Sequence, residues 1–241
     1  MSEGWIEPED WPVLSDSEVH VWLAHVPSAR ARLDEFVQLL SPEERDRAAR
    51  FRFEEHRERS QITRGLLRSL LGRYLDCAPR DFSFAYNAHG KPEVTGCAIH
   101  FNNSHSGDYA AFAFTRVGAV GVDIEQIRDD ITRREQIARK HFAPGEQTQL
   151  RALNEPECAR AFFDLWTRKE AFVKARGDGL FSGLNQFEVL ISEPRVVSVR
   201  GVAATDWWMA ALPKLSGYSG AVVVNSSSCS ARFWKWAERL P

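Results

Sequence analysis

The chain has 241 residues, 44% of them hydrophobic and 27% charged, with a formal net charge of −2; this fits an ordinary globular protein of one large or two smaller domains and argues against a dedicated nucleic-acid binder. No stretch is long and apolar enough to span a membrane, and the acidic residues 1–10 carry no apolar run of the kind a signal peptide needs. The four cysteines (Cys77, Cys97, Cys158, Cys229) are too scattered for a zinc site or a disulfide framework, so a reducing, cytoplasmic location is expected.

In chain order, Val19 to Ala24 reads as a first strand, and Ser28 to Leu40 as a helix with Leu33, Phe36, Val37 and Leu40 at helical spacing. Ser41-Pro42-Glu43-Glu44 is a helix start: a serine cap, proline at the first helical position, and glutamate three residues after the cap. A longer helix is expected from about Glu54 to Tyr74, with Ile62, Leu66, Leu67, Leu70 and Leu71 as its core face. The arginines of this region, from Arg45 to Arg73, interleave with glutamates as a solvated face does. Arg59-Ser60 nevertheless offers a guanidinium and a hydroxyl that suit a phosphate.

Phe82 to Tyr86 alternates like a strand, and Asn87-Ala88-His89-Gly90-Lys91-Pro92 reads as a turn with Lys91 at its tip. Residues 99–108 read as a short apolar run ending in a polar loop, in which small hydroxyl residues flank His105 next to Gly107 and let backbone approach a ligand. Ser104, His105 and Asp108 do not make a hydrolase triad, because three members in one loop without a nucleophile elbow lack the geometry of a relay. Tyr109 to Phe114 resumes a strand, Arg116-Val117-Gly118 turns, and Ala119 to Glu125 forms the next strand.

Within that strand, Gly121-Val122-Asp123-Ile124-Glu125 sends Asp123 and Glu125 to one face and Val122 and Ile124 to the other. Two neighbouring carboxylates suit a hard cation such as Mg²⁺, which one or two carboxylates and substrate phosphates commonly hold. The same alternation also describes a half-solvated strand. A helix begins near Ile131 and breaks at Pro144-Gly145; another follows Pro156 and runs through Arg176, with Gly177 at its C-cap. On it, Trp166, Glu170 and Lys174 share one face, whereas Leu165 and Phe172 belong to the core. Strands are expected after Gly179, at Trp207 to Ala210 and at Tyr218 to Asn225, and the tail around Phe233-Trp234 has no assigned role. Residues 49–54 and residues 138–142 with Glu146 precede similar helical regions, a faint duplication of two halves meeting near residue 115.

Taken together, Gly90-Lys91-Pro92, Phe101-Asn-Asn-Ser104-His105-Ser106-Gly107, Gly121-Val-Asp123-Ile-Glu125, Trp166-Thr-Arg-Lys169-Glu170-Ala171-Phe-Val-Lys174 and Gly177-Asp-Gly179-Leu180 form a series that resembles the 4′-phosphopantetheinyl transferases of the Sfp type, in the subgroup with a Trp-x-x-Lys-Glu-Ala signature. The resemblance implies an α+β fold, a pseudo-dimer of two similar α/β halves (1–115 and 116–241) with coenzyme A and Mg²⁺ in the cleft between them. It implies a cytoplasmic monomer that moves the phosphopantetheine arm of coenzyme A to a serine of an apo acyl or peptidyl carrier protein of fatty-acid, polyketide or nonribosomal peptide synthesis. Adenosine 3′,5′-bisphosphate is released, and neither nucleic acid nor membrane is a partner.

By the same resemblance, Asp123, Glu125 and Glu170 supply the metal's carboxylates, and Glu170 is the general base with Glu125 as competitor. Lys174 and Lys169 sit near the pyrophosphate, Ser104 and His105 meet a coenzyme A phosphate, Lys91 lies in the coenzyme A site, and Arg59-Ser60 holds the 3′-phosphate side. A non-catalytic module binding coenzyme A or a carrier would lack the carboxylates. An unrelated nucleotide phosphotransferase would show a phosphate-binding Gly-x-x-x-x-Gly-Lys-Ser/Thr loop or a kinase signature, and this sequence has neither.

Overall fold

Two β-sheets lie face to face, and each is covered on its outer side by one long helix. The computed structural model describes residues 4–177, 183–199 and 201–237. The first half runs β1 (Glu18–His25), α1 (Val26–Ala29), a 3₁₀ turn at Arg30–Arg32, α2 (Leu33–Leu39), α3 (Pro42–Ala49), α4 (Glu54–Leu75), β2 (Phe84–Tyr86), β3 (Pro92–Val94), β4 (His100–Ser106) and β5 (Tyr109–Thr115). The second runs β6 (Val120–Gln126), α5 (Ile131–His141), α6 (Pro144–Arg151), α7 (Glu157–Arg176), β7 (Phe187–Val189), β8 (Val196–Val199), β9 (Val202–Ala203), β10 (Trp208–Ala211), β11 (Tyr218–Val224) and β12 (Ser230–Lys235). Asp178-Gly179-Leu180, the end of the last motif, lie outside the described residues.

Both halves follow one plan. A first strand leads to helices that end in the longest one, then a small antiparallel sheet (two strands in the first half, three in the second), then a hairpin whose second strand returns beside the first. The returning strand is β5 against β1 and β11 against β6, both antiparallel. The plan extends to a buried ion pair. Glu44, at the third position of α3, accepts from the Ser41 backbone N–H at 2.9 Å and from Arg68 Nε of α4 at 2.6 Å. Glu146, at the third position of α6, accepts from the Ala143 N–H at 2.7 Å and pairs with Lys169 Nζ of α7 at 2.9 Å. Ser41 completes its capping box through its hydroxyl; Ala143 has none, so only the glutamate half of that box forms.

Alternation along the strands sorts the chemistry. Val120, Val122 and Ile124 of β6 are buried between the sheets, against Val19, Val21, Ala111 and Ala113 of the first sheet and Val222 and Val224 of β11. Gly121, Asp123 and Glu125 are thereby turned towards α7. A Cβ on Gly121 would lie 2.0 Å from the Ala171 carbonyl oxygen, so only glycine lets α7 settle this close to β6. Leu165 and Phe172 of α7 are fully buried, each contributing roughly 1.5–3 kcal/mol.

Three expectations change. Residues 28–40 are not one helix: Arg32 leaves helical angles (φ −106°, ψ 19°), and the kink lets Val26, Ala29 and Phe36 all reach the core. The expected loop after Asn102 is strand, since β4 runs through Ser106 in register with β5 and leaves only Gly107-Asp108 as the turn. The unassigned tail is β12, which pairs in parallel with β1 and so completes the sheet of the first half in the order β12-β1-β5-β4. No helix among the described residues is long and apolar enough to cross a membrane.

Candidate active site

The edge strand β4 lies along the seam between the halves and serves both sides of it. Its residues 102, 104 and 106 reach β6 through side chains. Asn102 Oδ1 accepts from the Val122 N–H at 2.9 Å, Ser104 Oγ donates to Asp123 Oδ1 at 2.7 Å, and Ser106 Oγ donates to Glu125 Oε2 at 2.6 Å while accepting from the Gln126 N–H at 3.1 Å. Residues Asn103 and His105 point the other way and line a pocket of about 350 Å³ against α4.

On the β6 side, five of the expected residues converge: Asp123, Glu125, Glu170, Lys174 and Ser104. Lys174 Nζ donates to Asp123 Oδ1 at 2.7 Å, to Ser104 Oγ at 2.9 Å and to the Val122 carbonyl at 3.2 Å. Asp123 and Glu170 are 3% and 4% exposed. Burial first, then repulsion from Asp123, pushes the Glu170 carboxyl up to about 8. The same two causes raise Glu125, against the stabilising hydroxyl of Ser106. Asp123 Oδ2 and Glu170 Oε2 are buried with no hydrogen-bond partner. Two unsatisfied anionic oxygens beside a third carboxylate cost folding energy unless a cation or proton meets them, so this donor set fits a hard cation. Among the described residues, no group of three or more His, Cys, Asp or Glu side chains is placed so that it could hold a metal ion, so an ion here would need these side chains to adjust and further ligands from substrate and water.

On the α4 side, Arg59, Ser60 and His105 meet in one pocket, with Phe51, His56, Thr63, Arg64 and Leu67 completing the lining. Arg59 is held by Glu55 at 2.8 Å, a surface pair a ligand anion readily displaces. Burial first, then the Arg59 guanidinium, keeps the His105 imidazole below its ordinary value.

Two expected residues are placed elsewhere. Lys169 is not near the carboxylates. It is fully buried on another face of α7, where its ammonium pairs with Glu146 and donates to the Leu184 and Phe187 carbonyls, both at 2.8 Å. One helical step is 100°, so a neighbour of Glu170 in sequence cannot share its face. Lys91 is near the seam, but its ammonium is spent on backbone carbonyls, and burial draws it down to about 8. Asn102 and Ser106, quoted within the motif but not assigned a role, belong to the site. The signal for them is the small polar residue at every second position of what proves to be a strand.

Residues 119–223 match the family model described as the 4′-phosphopantetheinyl transferase superfamily, and residues 26–116 match that of the 4′-phosphopantetheinyl transferase N-terminal region. The chain is 33% identical to the 4′-phosphopantetheinyl transferase HetI of Nostoc, over 95% of this chain and 97% of that one. It is 38% identical to a putative 4′-phosphopantetheinyl transferase of Synechocystis (69% and 68% covered) and 31% identical to the transferase Sfp of Bacillus subtilis (72% and 76% covered). With a relative above 30% identity matched over nearly its whole length, and motifs that the fold gathers along one seam, the chain belongs to the 4′-phosphopantetheinyl transferase superfamily.

Proposed function

We propose that the seam between the two halves is where the phosphopantetheine arm passes from coenzyme A to a serine of an apo acyl or peptidyl carrier protein, with release of adenosine 3′,5′-bisphosphate. The observation that carries this reading is the meeting of Asp123, Glu125 and Glu170 with Lys174, two carboxylate oxygens being buried and unpartnered. Asp123, Glu125 and Glu170 would hold Mg²⁺. Bound there, the ion supplies positive charge that offsets the carboxylates and the charge on the pyrophosphate. Lys174, tied to Asp123, faces the same charge. The Arg59, Ser60 and His105 pocket takes the 3′-phosphate end. The carrier serine attacks the phosphorus bearing the pantetheine arm; the new P–O bond replaces the one to the leaving nucleotide, and a carboxylate accepts the hydroxyl proton. Glu170 is the choice for that base, in the ionised form that a bound cation would favour, because Glu125 already accepts a hydrogen bond from Ser106. The shared plan of the two halves supports a pseudo-dimer in a single chain, divided near residue 115, that acts as a monomer.

Glu170→Gln is expected to lower turnover by on the order of 10²–10⁴-fold and to leave the coenzyme A dissociation constant nearly unchanged; a variant that loses affinity and keeps turnover would remove Glu170 as the base. The metal-free wild-type protein carries a second signature. Glu170 titrates near 8 in the folded protein against an ordinary 4.5, so between those values the folded state holds a proton that the unfolded chain has lost. That stabilisation is complete below the lower value and disappears as pH rises through the upper one. Thermal melts in chelator should therefore fall for the wild type relative to the glutamine variant from about pH 5 to about pH 9. Separately, Arg59→Ala should weaken coenzyme A by about 10-fold or more, and 3′-dephospho-coenzyme A hardly at all; equal weakening would refute the 3′-phosphate role.

A further inference from the structure

We infer that the turn at Asn87–Lys91 is a helix cap supplied by one half to the other, and that Lys91 is a positioning residue for the transfer rather than a ligand of coenzyme A. The inference rests on the reading of the site above.

The carboxyl end of a helix leaves carbonyls without intrahelical partners, and cations are favoured there. At the end of α7 those partners come from the first half. Lys91 Nζ donates to the Lys174 carbonyl at 2.7 Å and the Ala175 carbonyl at 3.4 Å, and reaches across to the Val120 carbonyl of β6 at 3.0 Å. Asn87 Nδ2 donates to the Gly177 carbonyl at 3.4 Å. The turn is itself rigid: Asn87 Oδ1 accepts from the N–H groups of His89 (2.9 Å) and Lys91 (3.0 Å), the Asn87 N–H donates to the Lys91 carbonyl at 3.1 Å, and Gly90 takes φ +80°.

An ammonium has three protons, and here three carbonyls take them, which leaves none for a phosphate. Lys174 is thus fixed at both ends, its carbonyl by Lys91 and its ammonium by Asp123 and Ser104. The last turn of α7 is pinned from the β6 side too, because Gly121 leaves no room against Ala171 and Ala175. A helix carrying both Glu170 and Lys174 is therefore registered on β6 by a side chain of the opposite half, and a small shift of such groups costs rate far more than binding.

The test uses the full chain with Lys91→Met, which keeps the apolar stem and removes the donors. Amide exchange in the last turn of α7 should accelerate by roughly 10-fold or more while that of α4 is unchanged. Turnover should fall by about 10–100-fold, with the coenzyme A dissociation constant, measured without carrier, within about 3-fold of wild type. Lys91→Arg, which keeps the charge, should recover most of the turnover. Should the methionine variant not fold, Asn87→Asp, which keeps the turn acceptor and removes the donor to Gly177, should shift exchange and turnover in the same directions. Loss of coenzyme A affinity with turnover preserved would make Lys91 a ligand and overturn the inference, as would unchanged exchange in α7 or unchanged turnover. The exchange result does not depend on activity, so it scores the cap even if no carrier is modified.

Discussion

Asp123→Ala is expected to slow phosphopantetheinyl transfer by on the order of 10²–10³-fold in a protein that still folds. The carboxylate contributes no apolar packing; its neighbours Val122 and Ile124 carry the buried seam between the sheets and are untouched. The change removes the acceptor of Lys174 and Ser104 together with one of the two buried, unpartnered carboxylate oxygens. It also relieves the repulsion that raises Glu170 and Glu125, so Glu170 in this variant should titrate closer to its ordinary range. Lys174 keeps Ser104 and the Val122 carbonyl and stays partly exposed, which spares the fold a stranded charge. Rates at saturating carrier and Mg²⁺, with thermal melts alongside, decide the matter. A wild-type rate would contradict the assignment of Asp123 to the metal.

Lys169→Ala is expected to act on stability, with a loss of about 3–5 kcal/mol, because removing one member of a buried ion pair strands the other. Glu146 is 2% exposed and holds the start of α6 and the end of β7 through the Ala143 and Val189 N–H groups. The Leu184 and Phe187 carbonyls lose their donor as well, and the Phe187 ring loses the ammonium 4.3 Å above it. Replacing both members, as Lys169→Met with Glu146→Leu, should cost less than the single change. Urea unfolding of the three proteins measures this directly. A Lys169→Ala protein of normal stability but poor coenzyme A affinity would instead place that lysine at the pyrophosphate.

The two lysines show where sequence reasoning reached and where it stopped. Lys174 was legible because its spacing from Glu170 is local: four residues along a helix fix a shared face whatever the fold does. Lys169 was not, because its partner Glu146 lies on another helix and only tertiary packing brings them together. The contacts of Lys91 were out of reach for the same reason, its acceptors being carbonyls of α7 and β6. The Gly121–Glu125 stretch was readable because strand alternation alone decides which residues enter the core. Strand β4 was read as a loop because Asn102-Asn103-Ser104-His105-Ser106 has no apolar alternation; its pairing comes from β5, and its inward side chains are satisfied by β6 rather than by apolar burial. Strand β12 pairs with the opposite end of the chain, which leaves no local trace. The duplication was visible only faintly, since its best anchors are Glu44 with Arg68 and Glu146 with Lys169, in which the glutamates match and their partners lie far along the chain on another helix.

The most direct test of the central claim is the intact mass of an apo carrier protein after incubation with this protein, coenzyme A and Mg²⁺. The expected result is a gain of one phosphopantetheine arm on the carrier serine with matching release of adenosine 3′,5′-bisphosphate, and no gain in chelator or on a carrier whose serine is replaced by alanine. A carrier panel left unmodified while coenzyme A binds, or a gain that persists without any divalent cation, would contradict it.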